Sequence, residues 1–75
     1  MIFGEHLRIV LEPVNKMDLA RELGISRNAI TKWVTDMNTP NVPNLVGLSK
    51  FVYGKKWQPE YIKLSLLLYK QKKLG

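Results

Sequence analysis

Residues 15–36 read Asn-Lys-Met-Asp-Leu-Ala-Arg-Glu-Leu-Gly-Ile-Ser-Arg-Asn-Ala-Ile-Thr-Lys-Trp-Val-Thr-Asp, and their spacing decides the fold. Asn15 is a good helix N-cap, because its side-chain oxygen can accept from amides that the first turn leaves without partners. Asp18 falls in that first turn, where the helix dipole favours a carboxylate. Met17, Leu19, Ala20 and Leu23 are expected to form the buried side of this helix. Gly24 follows at the position where a left-handed residue closes a helix at least cost. Ser26 caps a second helix from Arg27 to about Thr35, which is expected to bury Ile30 and Trp33. Two short helices joined at a glycine are the result.

Two helices that cross this closely restrict the residues between them. The fifth position of the pair must be small, and it is Ala20. The residues that lock the pair must be apolar, and they are Leu19, Leu23, Ile25, Ile30 and Trp33. This is the layout of a helix-turn-helix, whose second helix lies in the major groove of DNA. With Ile30 and Trp33 turned inward, Arg27, Asn28, Thr31 and Lys32 share the outer face. Arginine and lysine can donate to guanine O6 and N7, asparagine can pair with adenine N6 and N7, and the threonine methyl can touch a thymine methyl. No acidic residue lies on that helix before Asp36. Lys16 and Ser26, at helix starts, together with Asn38, Lys55 and Lys56, are the expected contacts to backbone phosphate.

Working outward, a first helix is expected from about Ile2 to Glu12, with Phe3, Leu7, Val10 and Leu11 as its stripe and Pro13 as its stop. Asp36 to Asn41 reads as a loop. Pro43 suits the first turn of a fourth helix, whose stripe is expected to be Leu45, Leu48, Phe51 and Val52, and Gly54 ends it. Lys55-Lys56-Trp57-Gln58 reads as a basic connector. From Pro59 onward two signals compete. Ile62-Lys63-Leu64-Ser65-Leu66 alternates like a half-buried strand. Pro59 and Glu60 look like a helix start, however, and Lys70, Lys72 and Lys73 suit a helix end. A helix is the better reading, because no partner strand is visible in the chain.

The chain has 75 residues, enough for one domain with a modest core. It has no cysteine, so packing alone must hold it, in keeping with a reducing cytoplasm. No apolar run is long enough to cross a bilayer, and the N-terminus lacks the pattern of a signal peptide. The net charge of +6 favours a polyanionic partner. His6 is the sole histidine and has no company suited to metal binding. Neither a nucleophile–base pair, a glycine-rich phosphate loop nor paired carboxylates appear. The expectation is therefore a protein that is not an enzyme and uses no cofactor, metal or small-molecule ligand.

Leu19-Ala20-x-x-Leu23-Gly24-Ile25-Ser26-x-x-x-Ile30-x-x-Trp33 resembles the signature of the Cro/CI-like (XRE) helix-turn-helix repressors of phages and mobile elements. Pro40, with Leu45, Leu48, Ser49 and Val52 after it, is similar to that family's proline-led fourth helix. The resemblance covers about residues 3–54. It implies an all-α, five-helix DNA-binding domain, usually a dimer on a palindromic operator, that represses transcription. It places the base-contacting sites on Arg27, Asn28, Thr31 and Lys32, and the site at the start of the second helix on Lys16. The chain departs from the family at Val34-Thr35-Asp36, where Glu-x-Gly is common, and in a shorter connection around Pro13-Val14.

Residues 59–73 hold more apolar side chains than one helix face can bury against a small domain. Tyr61, Ile62, Leu64, Leu66, Leu68 and Tyr69 are accordingly expected at a homodimer interface. A two-fold axis would then set two reading helices about 34 Å apart, one turn of DNA. Two other readings stay open. The segment could bind a second protein, as in an antitoxin-like autoregulator, or form a basic amphipathic module for a protein or membrane surface with no DNA role.

Overall fold

The computed structural model describes the backbone of residues 3–74 and the side chains of residues 3–71. Among these residues the chain is all helical: α1 (Phe3–Leu11), α2 (Lys16–Leu23), α3 (Arg27–Val34), α4 (Val42–Tyr53), a 3₁₀ turn (Gly54–Lys56) and α5 (Trp57–Leu74). The expected start of α1 at Ile2, and the side chains of Lys72 and Lys73, lie outside the described residues.

Caps set the helix boundaries. The Asn15 side chain accepts from the amides of Met17 (2.9 Å) and Asp18 (3.1 Å). Ser26 accepts from Ala29 N–H at 3.3 Å, and Asn41 accepts from Asn44 N–H at 2.9 Å. Pro43 stands in the first turn of α4, where its missing N–H leaves no bond unmade.

Each helix contributes to one core. Phe3, Leu7 and Leu11 come from α1, Leu19 and Ala20 from α2, Ile30 and Trp33 from α3, Leu45 and Leu48 from α4, and Leu64 and Leu68 from α5. α5 lies along α4 and touches α1. α1 supports α3, and α2 packs between α3 and α4. The buried Ser49 hydroxyl is satisfied by the Leu45 carbonyl at 2.8 Å.

The structure corrects several expectations. Met17 is 56% exposed and Phe51 39% exposed, so neither joins the core. Trp57 and Gln58 begin α5 instead of ending a connector. Lys50 Nζ sits 4.9 Å from the centre of the Trp57 ring, which anchors that helix start to the end of α4. Pro59 then falls in the first turn of α5, where a proline is tolerated. Leu64 and Leu68 were expected at a dimer interface but fill the chain's own core, at 1% and 7% exposure. They are unavailable to a partner while the core is intact. The period-two pattern at Ile62–Leu66 reflects a helix with two apolar faces, not a strand.

Candidate nucleic-acid interface

The turn between α2 and α3 is built by backbone hydrogen bonds. Gly24 adopts φ 68°, ψ 34°. Its N–H donates to the Arg21 carbonyl (3.2 Å), and Ile25 N–H donates to the Ala20 carbonyl (3.0 Å). These are the paired bonds of a Schellman cap, which satisfy carbonyls that the helix end would leave open. Ile25, half-buried, then packs against the core. The cap ends α2 and turns the chain within two residues, so Ser26 can start α3 at once.

α3 buries Ile30 and Trp33 and exposes Arg27, Asn28, Thr31 and Lys32. Its eight residues span about 12 Å, and an α-helix about 10–12 Å across fits the roughly 12 Å width of a B-DNA major groove. No carboxylate lies along the helix. The Thr31 hydroxyl donates back to the Arg27 carbonyl (3.4 Å), which occupies its donor within the helix.

The expected phosphate contacts are not equivalent. Ser26 is exposed, and its oxygen is engaged by Ala29 N–H. Its own O–H remains able to donate. Asn38 is exposed, but its backbone N–H is bonded to the Lys32 carbonyl at 3.2 Å, which leaves the side-chain amide for a ligand. Lys16 is half-buried in a shallow groove shared with Arg8, Ile9 and Glu12. Glu12 counters its charge there, whereas Arg8 adds to it. Arg8 belongs to α1, outside the two motif helices, so motif spacing does not single it out. Lys55 and Lys56 are exposed on the 3₁₀ turn, which packs on α4 and α5 and not on α2 or α3 as a main contact.

Charge divides unevenly along the chain. In residues 1–36 five basic side chains (Arg8, Lys16, Arg21, Arg27, Lys32) are balanced by five acidic ones (Glu5, Glu12, Asp18, Glu22, Asp36). From residue 37 onward seven lysines face Glu60 alone. The net +6 thus belongs to α4, the turn and α5, and not to the helix-turn-helix. Within the balanced half, Arg21 lies 3.6 Å from Asp18 in an exposed pair of little energetic weight. Arg27 and Lys32 make no ion pair within 4 Å among the described residues, so α3 is locally positive on a neutral body.

α3 ends on an unusual residue. Asp36 has φ 61°, the one positive φ outside glycine among the described residues. Asp36 N–H donates to the Trp33 carbonyl (3.3 Å) and Met37 N–H to the Lys32 carbonyl (2.9 Å), a second Schellman cap. Its side chain reaches across the fold: Oδ1 accepts from Gly4 N–H at 3.1 Å and from Gln71 Nε2 at 3.3 Å. Gln71 Oε1 in turn accepts from Phe3 N–H at 2.7 Å. Sequence reasoning missed this junction, although a glycine inside α1 is the usual sign of a close approach. A Cβ on Gly4 would fall on the Asp36 carboxylate and 2.9 Å from the Val34 carbonyl oxygen.

No curated protein and no solved structure gives a significant match to this chain. The family described as Helix-turn-helix matches residues 16–52, about half of the chain, from the first residue of α2 to the last turn of α4. The matched region contains the Gly24 cap, the exposed face of α3 and the proline-led α4. With that geometry and that match together, the chain belongs to the XRE-type, Cro/CI-like helix-turn-helix family of DNA-binding regulators.

Proposed function

We infer that this regulator acts as a dimeric, Cro-type repressor on a palindromic operator, excluding polymerase by occupying the site. α3 enters the major groove, where Arg27, Asn28, Thr31 and Lys32 meet base edges. Ser26, Asn38, Lys16 and its neighbour Arg8 hold backbone phosphate. The observation that carries this reading is the exposed, carboxylate-free face of α3. The lysines of α4–α5, Lys55 and Lys56 among them, carry the net positive charge that draws the chain to a polyanion at long range; because the screening length in physiological salt is about 8–10 Å, that attraction is sequence-independent and distinct from local readout.

Pairing through α5 is supported by a second apolar stripe. Ile62 (55% exposed), Leu66 (52%) and Tyr69 (60%) stand at i, i+4 and i+7, on the side of α5 away from Leu64 and Leu68. The stripe borders a groove of about 450 Å³ lined by Val42, Tyr61 and Tyr69 among others. Leu64 and Leu68 drop out of the expected interface, while Tyr61, Ile62, Leu66 and Tyr69 remain. The same stripe fits an antitoxin-like partner protein equally well. Sedimentation of the purified chain at micromolar concentration separates the two, since a strict monomer favours the partner.

The base readers are tested by equilibrium binding. Arg27→Ala or Asn28→Ala costs roughly 1–3 kcal/mol on the preferred site and relaxes discrimination there. Lys16→Ala weakens every duplex about equally and lowers the salt slope by about one. Equal losses on preferred and random duplexes for all three variants contradict the assignment.

A further inference from the structure

Three helix ends meet at one part-buried junction: the first amides of α1, the residue that closes α3, and Gln71 near the end of α5. Two of its donors, Phe3 N–H and Gly4 N–H, belong to the first turn of α1, which has no partner of its own for them. A carboxylate there is also favoured by the dipole of α1. Asp36 is held on one side by the α3 cap and on the other by this bond set. It follows the base-reading helix directly in the chain, whereas Gln71 is two residues beyond Tyr69 of the exposed α5 stripe.

We propose that Asp36 and Gln71 form a positioning clamp through which α5 sets the placement of α3 against DNA. This rests on the reading of α3 as the base-contacting helix. Neither residue touches DNA in the proposal; both act by fixing the end of α3 relative to α1 and α5. Docking of a partner on the α5 stripe then bears on base reading through Gln71, with no contact to α3 itself. The aspartate is used where the family commonly has glycine because only a side chain can reach Gly4 and Gln71.

Asp36→Gly keeps the positive φ at no strain but removes the clamp, and Asp36→Asn keeps both the φ tolerance and an Oδ1 acceptor. Gln71→Ala removes the α5 arm alone. Binding to a selected site and to random duplex is measured for each, at a temperature where melting curves show every variant fully folded. Amide NMR spectra of the DNA-free proteins are recorded in parallel. The clamp predicts that Asp36→Gly and Gln71→Ala each lower the ratio of selected to random affinity by roughly three- to tenfold. It also predicts that Asp36→Asn stays within about twofold of the parent, and that Gln71→Ala shifts the amide resonances of Thr31 to Met37. A role in stability alone lowers the melting temperature and leaves the ratio unchanged; that result overturns the clamp, as does an unmoved α3 spectrum in Gln71→Ala. If the parent prefers no duplex while the α3 resonances do move, the clamp stands as a coupling and the base-reading assignment falls.

Discussion

Gly24 and Asp36 close two consecutive helices with the same cap and for different reasons. Both have φ near +65°, and both caps make the same pair of backbone hydrogen bonds. At Gly24 an added Cβ would meet nothing within 4 Å, so the glycine answers only to the backbone. At Asp36 the side chain is the point, because it joins α1 and α5 to the end of α3. A left-handed residue with a side chain costs about 1–2 kcal/mol, less for aspartate and asparagine. The chain bears that strain where it gains long-range bonds and avoids it where none are in reach.

The contrast is broken most severely by Asp36→Ala, which loses two hydrogen bonds of about 1 kcal/mol each and leaves an alanine at positive φ. The expected loss is about 2–4 kcal/mol, read as a fall in melting temperature on the order of 10–20 °C. Gly24→Ala comes next, at about 1–2 kcal/mol from backbone strain alone, because the site is open. Gly24→Asn is the smallest, at about 0.5 kcal/mol, since asparagine tolerates the left-handed region. Asp36→Ala proving no worse than Gly24→Ala in thermal melts would remove the distinction between the two caps.

Local chemistry made most of the fold readable. The Asn15 and Ser26 caps, the Gly24 turn and the burial of Ile30 and Trp33 depend on neighbours within a few residues. Met17 and Phe51 were misplaced for a common reason. At 100° per residue each lies about a third of a turn from the centre of its helix's buried stripe, on the flank that nothing covers. Leu64 and Leu68 could not be told from Ile62 and Leu66 by composition, because α5 is apolar on two sides and only the packing of α4 and α1 chooses between them. The start of α5 was hidden by Pro59, which reads as a boundary although it is allowed in a first turn. The Phe3–Gln71 bond joins residues 68 apart in sequence, beyond the reach of any local pattern. On the candidate site, the outward face of α3 was legible from helical periodicity. The neutrality of the helix-turn-helix half was open to a count of charges by region, which the total of +6 conceals.

The central claim is that α3 presents its four polar side chains to the bases of duplex DNA. Selection of bound fragments from a random duplex pool tests it directly. The account predicts an enriched inverted repeat with half-sites about one helical turn, roughly 34 Å, apart, lost from the pool when Arg27→Ala and Asn28→Ala are combined. Binding without any enriched sequence, or the same enriched sequence with that double variant, would contradict it.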